Sequence, residues 1–182
     1  MSIATKTGDK GYTGLLFGTR EKKSAKIFEA VGNIDELNAS IGLLKACIAE
    51  KVQDHPFFEF IEEVQHRLTL YMGELVAEPQ NRARYVESYD SIKIEDLEQL
   101  DQTVKDLEKD PSTKQSGWVL YGNSPAGAAA DYASKVCRRA ERSIVSLHEE
   151  HNFREILLKY VNRLSDVLHL LGRYFDGLKK TS

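Results

Sequence analysis

The stretch Ser124-Pro125-Ala126-Gly127-Ala128-Ala129-Ala130-Asp131-Tyr132-Ala133-Ser134-Lys135-Val136-Cys137-Arg138-Arg139-Ala140-Glu141-Arg142 sets the scale of the fold. Serine followed by proline marks a helix start: the hydroxyl can accept from an unpaired backbone N–H, and the ring fixes φ at the first helical position. The helix opened there can continue to about His148. A second helix is predicted from Asn152, with Glu155 three residues on as a near relative of a capping box, to about Leu178. Helices of about 25 residues, at ~1.5 Å per residue, are close to ~38 Å long, which suits a bundle of long antiparallel helices better than globin-like packing.

Working upstream, Pro111 to Asn123 reads as a loop with Gly117, Gly122 and a short extended Trp118-Val119-Leu120. A more charged helix is predicted over Lys93 to Lys109, with Ile94, Leu97, Leu100, Val104 and Leu107 at helical spacing; its polar balance places it on the outside. Glu78 to Ser91 reads as a loop. Another helix starts near Asp54, a capping candidate with Pro56 in the first turn, and carries Phe57, Ile61, Val64, Leu68, Tyr71 and Leu75 on one stripe. The first helix runs from about Val31 to Glu50 on Ile34, Leu37, Ile41, Leu44 and Ile48. No alternating segment of strand length stands out. The expectation is therefore an all-α fold, a bundle of four to five long antiparallel helices over 31–178, preceded by an extended arm over 1–26, in one domain of 182 residues.

A 41% hydrophobic and 29% charged composition is that of an ordinary globular chain. No apolar run approaches a membrane span, and the first ten residues have neither a secretory h-region nor transit-peptide character, so the expected location is cytoplasmic. Cys47 and Cys137 lie ninety residues apart without partners at metal-ligand spacing and read as small buried hydrophobes. The net charge of −3 speaks against a nucleic-acid partner. It is uneven, however. Lys6, Lys10, Arg20, Lys22, Lys23 and Lys26 against Asp9 and Glu21 give the first 26 residues +4, which suits a small anion held at that end.

Thr5-Lys6-Thr7-Gly8-Asp9-Lys10-Gly11-Tyr12-Thr13-Gly14-Leu15-Leu16-Phe17-Gly18-Thr19-Arg20 gathers glycine, threonine and cations in one non-periodic segment. Glycines let N–H groups converge on an anion, lysines add charge and threonines add donors, which is phosphate-binding chemistry. It matches neither a Walker A loop nor a dinucleotide fingerprint, and a charged terminal arm is the alternative. Arg138, Glu141 and Arg142 share one helical face that can grip a polyphosphate or form intrahelical ion pairs. Asn162 and Asp166 border the stripe of Val161, Leu164 and Leu168 and need partners, either a ligand or a neighbouring helix. Asp35, Asn38 and Gly42 form a polar, small-residue stripe. His148 and His151 read as solvated. Glu63-Val64-Gln65-His66 is half of a di-metal carboxylate pattern without its second half.

Together, Thr5 to Gly11 with Thr13, Asp35-Glu36-Leu37-Asn38, Val136 to Arg142 and Asn162-Arg163-Leu164-Ser165-Asp166 resemble the ordered signature blocks of the PduO-type cobalamin adenosyltransferases. The resemblance spans nearly the whole chain. It implies a helical homotrimer that transfers the 5′-deoxyadenosyl group of ATP to the cobalt of cob(I)alamin, with both substrates meeting in clefts between subunits and Mg²⁺ accompanying ATP. It implies ATP contacts by Thr5, Lys6, Thr7, Gly8, Thr13, Gly14 and Lys23 of the arm and by Arg138, Glu141, Arg142 and Asn162 of the helices. Asp35 and Trp118 would face cobalamin, and Arg138 and Asp35 would be the catalytic pair. In the family a phenylalanine near position 118 helps exclude the lower axial ligand of cobalt. A cobalamin reductase or a B12-dependent enzyme is the further partner implied.

The chain departs from the family pattern at three places: Ser134 where an arginine usually pairs with the helix-one aspartate of another subunit, Tyr121-Gly122-Asn123 in place of Pro-Gly-Gly, and His169 in place of an aromatic. All three touch the corrinoid side. The expectation is that Asp35 faces Ser134 across an interface and is compensated by Lys135, another cation, water or a rearranged loop. Two other readings stay open, a non-catalytic trimer that senses or delivers ATP or adenosylcobalamin, and a helical di-metal carboxylate protein.

Overall fold

The structure is a computed structural model describing residues 4, 6–49, 55–114 and 117–178. Six α-helices follow a small hairpin: β1 Tyr12–Gly14, β2 Arg20–Lys22, α1 Lys26–Ala49, α2 Phe57–Leu75, α3 Arg82–Ser88, α4 Ile94–Lys109, α5 Pro125–His151 and α6 Glu155–Leu178. In space α5 lies between α1 and α6, α2 lies against α1, and α4 leans on α6 from outside. Tyr71 of α2 reaches across the bundle to donate to the Leu157 carbonyl of α6 at 3.1 Å. The core is the stripe that the apolar spacing predicts: Ile34, Leu37, Ile41 and Leu44 of α1 are sealed in one core with Leu68 and Leu75 of α2 and Leu157, Leu164 and Leu171 of α6. Each such side chain, fully buried, contributes on the order of 1.5–3 kcal/mol relative to exposure. No helix among the described residues is long and apolar enough to cross a membrane.

Several boundaries differ from expectation. α1 begins at Lys26, five residues before Val31, because Ile27 and Ala30 are already buried and extend the stripe by a turn. α5 continues to His151 and ends on Asn152, which adopts the left-handed conformation at φ 47°. Asn152 therefore closes α5 and does not open α6; asparagine tolerates this conformation at helix ends. Glu78–Ser91, expected as loop, contains α3, a single short helix buried mainly through Tyr85, whose hydroxyl donates to the Leu70 carbonyl at 3.1 Å. Trp118-Val119-Leu120 forms no strand. Asp54 lies outside the described residues; Ser124 does cap α5, accepting from the Gly127 N–H at 3.0 Å.

One buried ion pair ties the bundle's end together. Glu74, only 1% exposed, is held bidentately by Arg154, Nε to Oε1 at 2.7 Å and Nη2 to Oε2 at 2.5 Å, and the same Nη2 donates to the Ile92 carbonyl at 3.1 Å. The pair joins the end of α2, the entry to α6 and the approach to α4. Removing one partner of such a pair strands a buried charge. Arg154→Met is expected to lower the unfolding free energy by about 3 kcal/mol, at the low end for a buried pair because the guanidinium is partly exposed. Urea denaturation monitored by far-UV circular dichroism checks this, and adding Glu74→Gln to the Arg154→Met protein is expected to recover part of the loss.

Candidate active site

The arm is folded, not extended. Tyr12–Gly14 pairs antiparallel with Arg20–Lys22, Thr13 opposite Glu21. Before the hairpin, the chain turns back on itself: Asp9 N donates to the Lys6 carbonyl at 3.3 Å and Gly11 N to the Gly8 carbonyl at 3.1 Å, with Lys6 in the left-handed region at φ 57°. Arg20 Nη2 closes this turn, donating to the carbonyls of Thr7 at 2.8 Å and Tyr12 at 3.1 Å. Lys23 lies against Gly8, where an added Cβ would stand 2.8 Å from the ammonium nitrogen. Lys6, Thr7, Gly8 and Lys23 thus belong to one small cationic turn, and Thr13 and Gly14 to the strand that follows it; Thr5 lies outside the described residues. The hairpin hangs on the far end of α2: Leu16 N donates to the Val76 carbonyl at 3.3 Å, Thr19 Oγ1 to Glu78 at 3.0 Å, and Arg84 of α3 stacks over Phe17 at 4.9 Å.

A second polar group sits on the α5–α6 face. Asn162 Nδ2 donates to Glu141 Oε1 at 2.6 Å, Arg142 Nη1 to the Arg138 carbonyl at 3.0 Å, and Arg138 Nη2 stands 3.9 Å from Asp166. Asp166 is held more closely by Arg163 at 3.0 Å, and Arg163 also pairs with Asp101 of α4. Arg138 is therefore loosely held and about half exposed, an open cation beside a pre-arranged amide and carboxylate. Its neighbour Arg139 points the other way, to Glu36 and Asn33 of α1.

Among the described residues, the arm's glycine-rich loop shares no hydrogen bond or ion pair with Arg138, Glu141 or Asn162; Arg142 turns toward α1, lining a cavity with Lys26, Glu29, Asn33 and Arg139. The described hydrogen bonds from the hairpin's far loop run to the α2–α3 junction, while those of the second group stay within α4, α5 and α6. Lys26, where the arm passes into α1, pairs with Glu150 at the end of α5. Arg138 lies a dozen residues earlier on that helix, ~18 Å away along its axis.

Asp35 is exposed on α1 and forms no ion pair among the described residues; Asn38 is half buried, its carbonyl accepting from Gln65 at 3.2 Å. Ser134 is fully enclosed between α5 and α6, and its hydroxyl donates to the Ser165 carbonyl at 3.1 Å. It therefore cannot present itself to Asp35 of another subunit, contrary to expectation: a serine is too short to leave the helix seam. Lys135 is exposed, but its ammonium lies 4.9 Å from the Tyr121 ring and so is already committed. Trp118 is wholly exposed, beside exposed Leu120 and Tyr121 and not far in sequence from exposed Tyr132. Gly117, Trp118, Val119, Tyr121 and His169 line a cavity of about 350 Å³. Glu63 is engaged by Arg67 at 2.7 Å, and no group of three His, Cys, Asp or Glu side chains fit for a metal exists among the described residues.

These placements follow the blocks of a known family. The sequence profile of the cobalamin adenosyltransferase family matches residues 3–175. The chain belongs to this family. It is 37% identical over 177 residues to the bovine corrinoid adenosyltransferase MMAB, covering 94% of this chain and 70% of that protein. It is 35% identical over 180 residues to the corrinoid adenosyltransferase PduO of Salmonella typhimurium, covering 97% of this chain but spanning only about half of that relative. Its fold superposes with a TM-score of 0.86 on a variant PduO-type ATP:corrinoid adenosyltransferase from Lactobacillus reuteri complexed with cobalamin and ATP, at 26% identity over 98% of this chain and 96% of that one. A second variant of that enzyme, complexed with ATP, superposes with a TM-score of 0.85 at 27% identity.

Within the family fold, sequence reasoning found both polar groups but missed what supports them. Arg20, which closes the arm's turn, lay at the edge of the glycine-rich stretch without an assigned role. Asp131, Arg173 and Asp176 form a buried ionic cluster between α5 and α6. A charged residue on the apolar stripe of each long helix was the signal that could have revealed it. His169 is another such residue: burial first, then the nearby Lys135 and Arg173, hold its imidazole below the ordinary histidine value. A histidine whose folded pKa is depressed gives stability that is complete above its unfolded pKa, near ~6.5, and lost as pH falls below it. Stability is therefore expected to decline as pH falls below about 6.5. In His169→Phe that decline is expected to be shallower, though not flat, because burial also depresses His55. Thermal unfolding across this pH range checks both statements.

Proposed function

We propose that this chain transfers the 5′-deoxyadenosyl group of ATP to the cobalt of cob(I)alamin, giving adenosylcobalamin and triphosphate. In this reading it works in the cytosol as a homotrimer whose nucleotide cleft combines the arm of one protomer with the α5–α6 face of another. The observation that carries the proposal is the separation of two preformed anion-gripping groups. The arm loop and the Arg138–Glu141–Arg142–Asn162 group are each held in place by their own contacts, yet they lie on different parts of one chain. A second copy brings them onto one ligand.

The chemistry asks little of the protein beyond alignment and charge. Cob(I)alamin supplies the electron pair of the new Co–C5′ bond, the C5′–O bond breaks, and its pair departs on the triphosphate, so no side chain attacks. Arg138 meets charge gathering on the departing oxygens, and the Lys6–Lys23 loop takes the rest of the polyphosphate. Glu141, oriented by Asn162, offers its other oxygen to a hydroxyl or amine of the nucleoside. Mg²⁺, when bound to the phosphates, supplies further neutralisation. The described residues form no dedicated magnesium cage, so the fit is to an ion that would arrive on the ATP phosphates and be held mainly by them. Trp118 and Asp35 face the corrinoid, the indole shielding cobalt from water and the lower ligand. A reductase or a B12-dependent enzyme is the partner this assignment calls for.

An anaerobic assay with ATP, Mg²⁺ and chemically reduced cobalamin tests the reading, and binding without turnover would instead mark a sensor or delivery protein. Arg138→Ala is expected to cost about 2–4 kcal/mol in the barrier, roughly 30- to 1,000-fold in rate, with the fold intact. Wild-type turnover in that variant would remove its assigned role. Deleting residues 1–14 is expected to abolish ATP binding by calorimetry while leaving the helical circular dichroism unchanged, because the hairpin's anchors to α2 and α3 begin at Leu16. Normal ATP affinity in the truncated protein would sink the arm's role.

A further inference from the structure

Between α5 and α6, next to the loop that carries Trp118, lies a cluster that the reaction as described does not use. Arg173 is 3% exposed, pairs with Asp131, and stands 3.7 Å from Asp176, both of which are buried as well. Charges buried in a helix seam are weak contributors to stability compared with well-packed apolar residues, so their presence calls for another role. The seam is shaped around them. A Cβ at Gly172 would stand 2.8 Å from Asp131 Oδ1 and 3.0 Å from its Cγ; one at Gly127 would stand 2.6 Å from Asp176 Cγ and 2.7 Å from Ser124 Oγ. Two helical glycines thus make room for two carboxylates.

Outward from the cluster, two contacts lead to the same loop. Asp176 Oδ1 accepts from Ser124 Oγ at 2.9 Å, and Ser124 in turn caps α5 where the loop ends. The Arg173 guanidinium stands 5.5 Å from the Tyr121 ring centroid, and Nε and Nη1 have no hydrogen-bond partner. On the same ring lies Lys135, one turn along α5 from Asp131, with its ammonium at 4.9 Å. A cation whose water has been removed gains most from an aromatic face. Tyr121 then shares one cavity wall with Trp118 and with His169, which precedes Arg173 by one turn of α6.

We infer that Arg173, locked by Asp131 and Asp176, is a positioning residue for the corrinoid half of the reaction: it holds the Tyr121 ring and thereby sets the shape of the cavity wall that Tyr121 shares with Trp118 and His169. This rests on the proposal that Trp118 faces the corrinoid. Arg173 itself touches neither substrate, and the ATP-gripping group lies elsewhere on the α5–α6 face, so its effect falls on one substrate only.

Trp118 is the single tryptophan of the chain, so its emission reports the loop directly. Tyr121→Leu and Arg173→Met are each expected to raise the KM for cob(I)alamin at least tenfold, to leave the KM for ATP within twofold, and to change acrylamide quenching of Trp118 in the substrate-free protein. Tyr121→Phe, which keeps the ring, is expected to behave as the parent. The Arg173→Met effect is expected to vanish in a Tyr121→Leu background, an outcome that a general loss of packing would not produce. Tyr121 is exposed, so its variants keep the test alive if Arg173→Met does not fold. An unchanged KM for cob(I)alamin in Tyr121→Leu, or additive effects of the two substitutions, overturns the inference. Trp118→Ala separates the two levels: if it leaves the KM for cob(I)alamin unchanged, the corrinoid assignment of the loop fails and the inference with it. If Trp118→Ala raises that KM and Tyr121→Leu does not, the positioning role alone fails.

Discussion

The close approach of α5 to α6 is the constraint on which the rest of the molecule depends. Ala126, Gly127, Ala130, Ala133, Ser134, Cys137 and Ala140 present a buried face with little side-chain bulk, so the longest helix can lie near its partner along most of its length. Gly172 answers from α6, and Ser134 and Cys137 direct their small polar groups to the α6 carbonyls of Ser165 and Val161. Burial pushes the Cys137 thiol well above its ordinary range, leaving it an inert packing group. Larger side chains on either helix would drive the two apart, and with them the polar groups that face one another across the seam.

That seam positions chemistry at two levels. On its outer edge Arg138 and Glu141 from α5 stand beside Asp166 and Asn162 from α6, a constellation that only two nearly touching helices can assemble. In its interior the Asp131–Arg173–Asp176 cluster supports the loop leading into α5. Arg138 keeps freedom to meet an anion because Asp166 is already claimed by Arg163, which α4 steadies through Asp101. The peripheral helix thus bears on Arg138 indirectly, by steadying the arginine that holds Asp166.

The electrostatics are distributed to match. The positive excess of the first 26 residues is gathered on a hairpin hooked to the bundle's end, while the cations of α5 are displayed further along. On the proposed function, a ligand that bridges two copies turns weak, solvent-screened contacts into a shielded site, where the same charges act more strongly.

Local rules were enough to read the helices. Apolar spacing determined the inward faces of α1, α2, α4, α5 and α6, Ser124 and Pro125 determined where α5 begins, and the ordered blocks from Thr5 to Asp166 determined the family. Where local signals were thin, tertiary contacts decided. α3 exists because Tyr85 finds a slot against α2, the arm is a hairpin because Arg20 closes it and Val76 receives it, and Asn152 ends a helix because α6 must turn back there. The placement of Ser134 was likewise beyond sequence reasoning: its neighbours along the helix say nothing of how near α6 comes. Periodicity reports which face of a helix is apolar; the distance between two faces, and so whether a side chain is sealed or displayed, is set by the volumes packed between them.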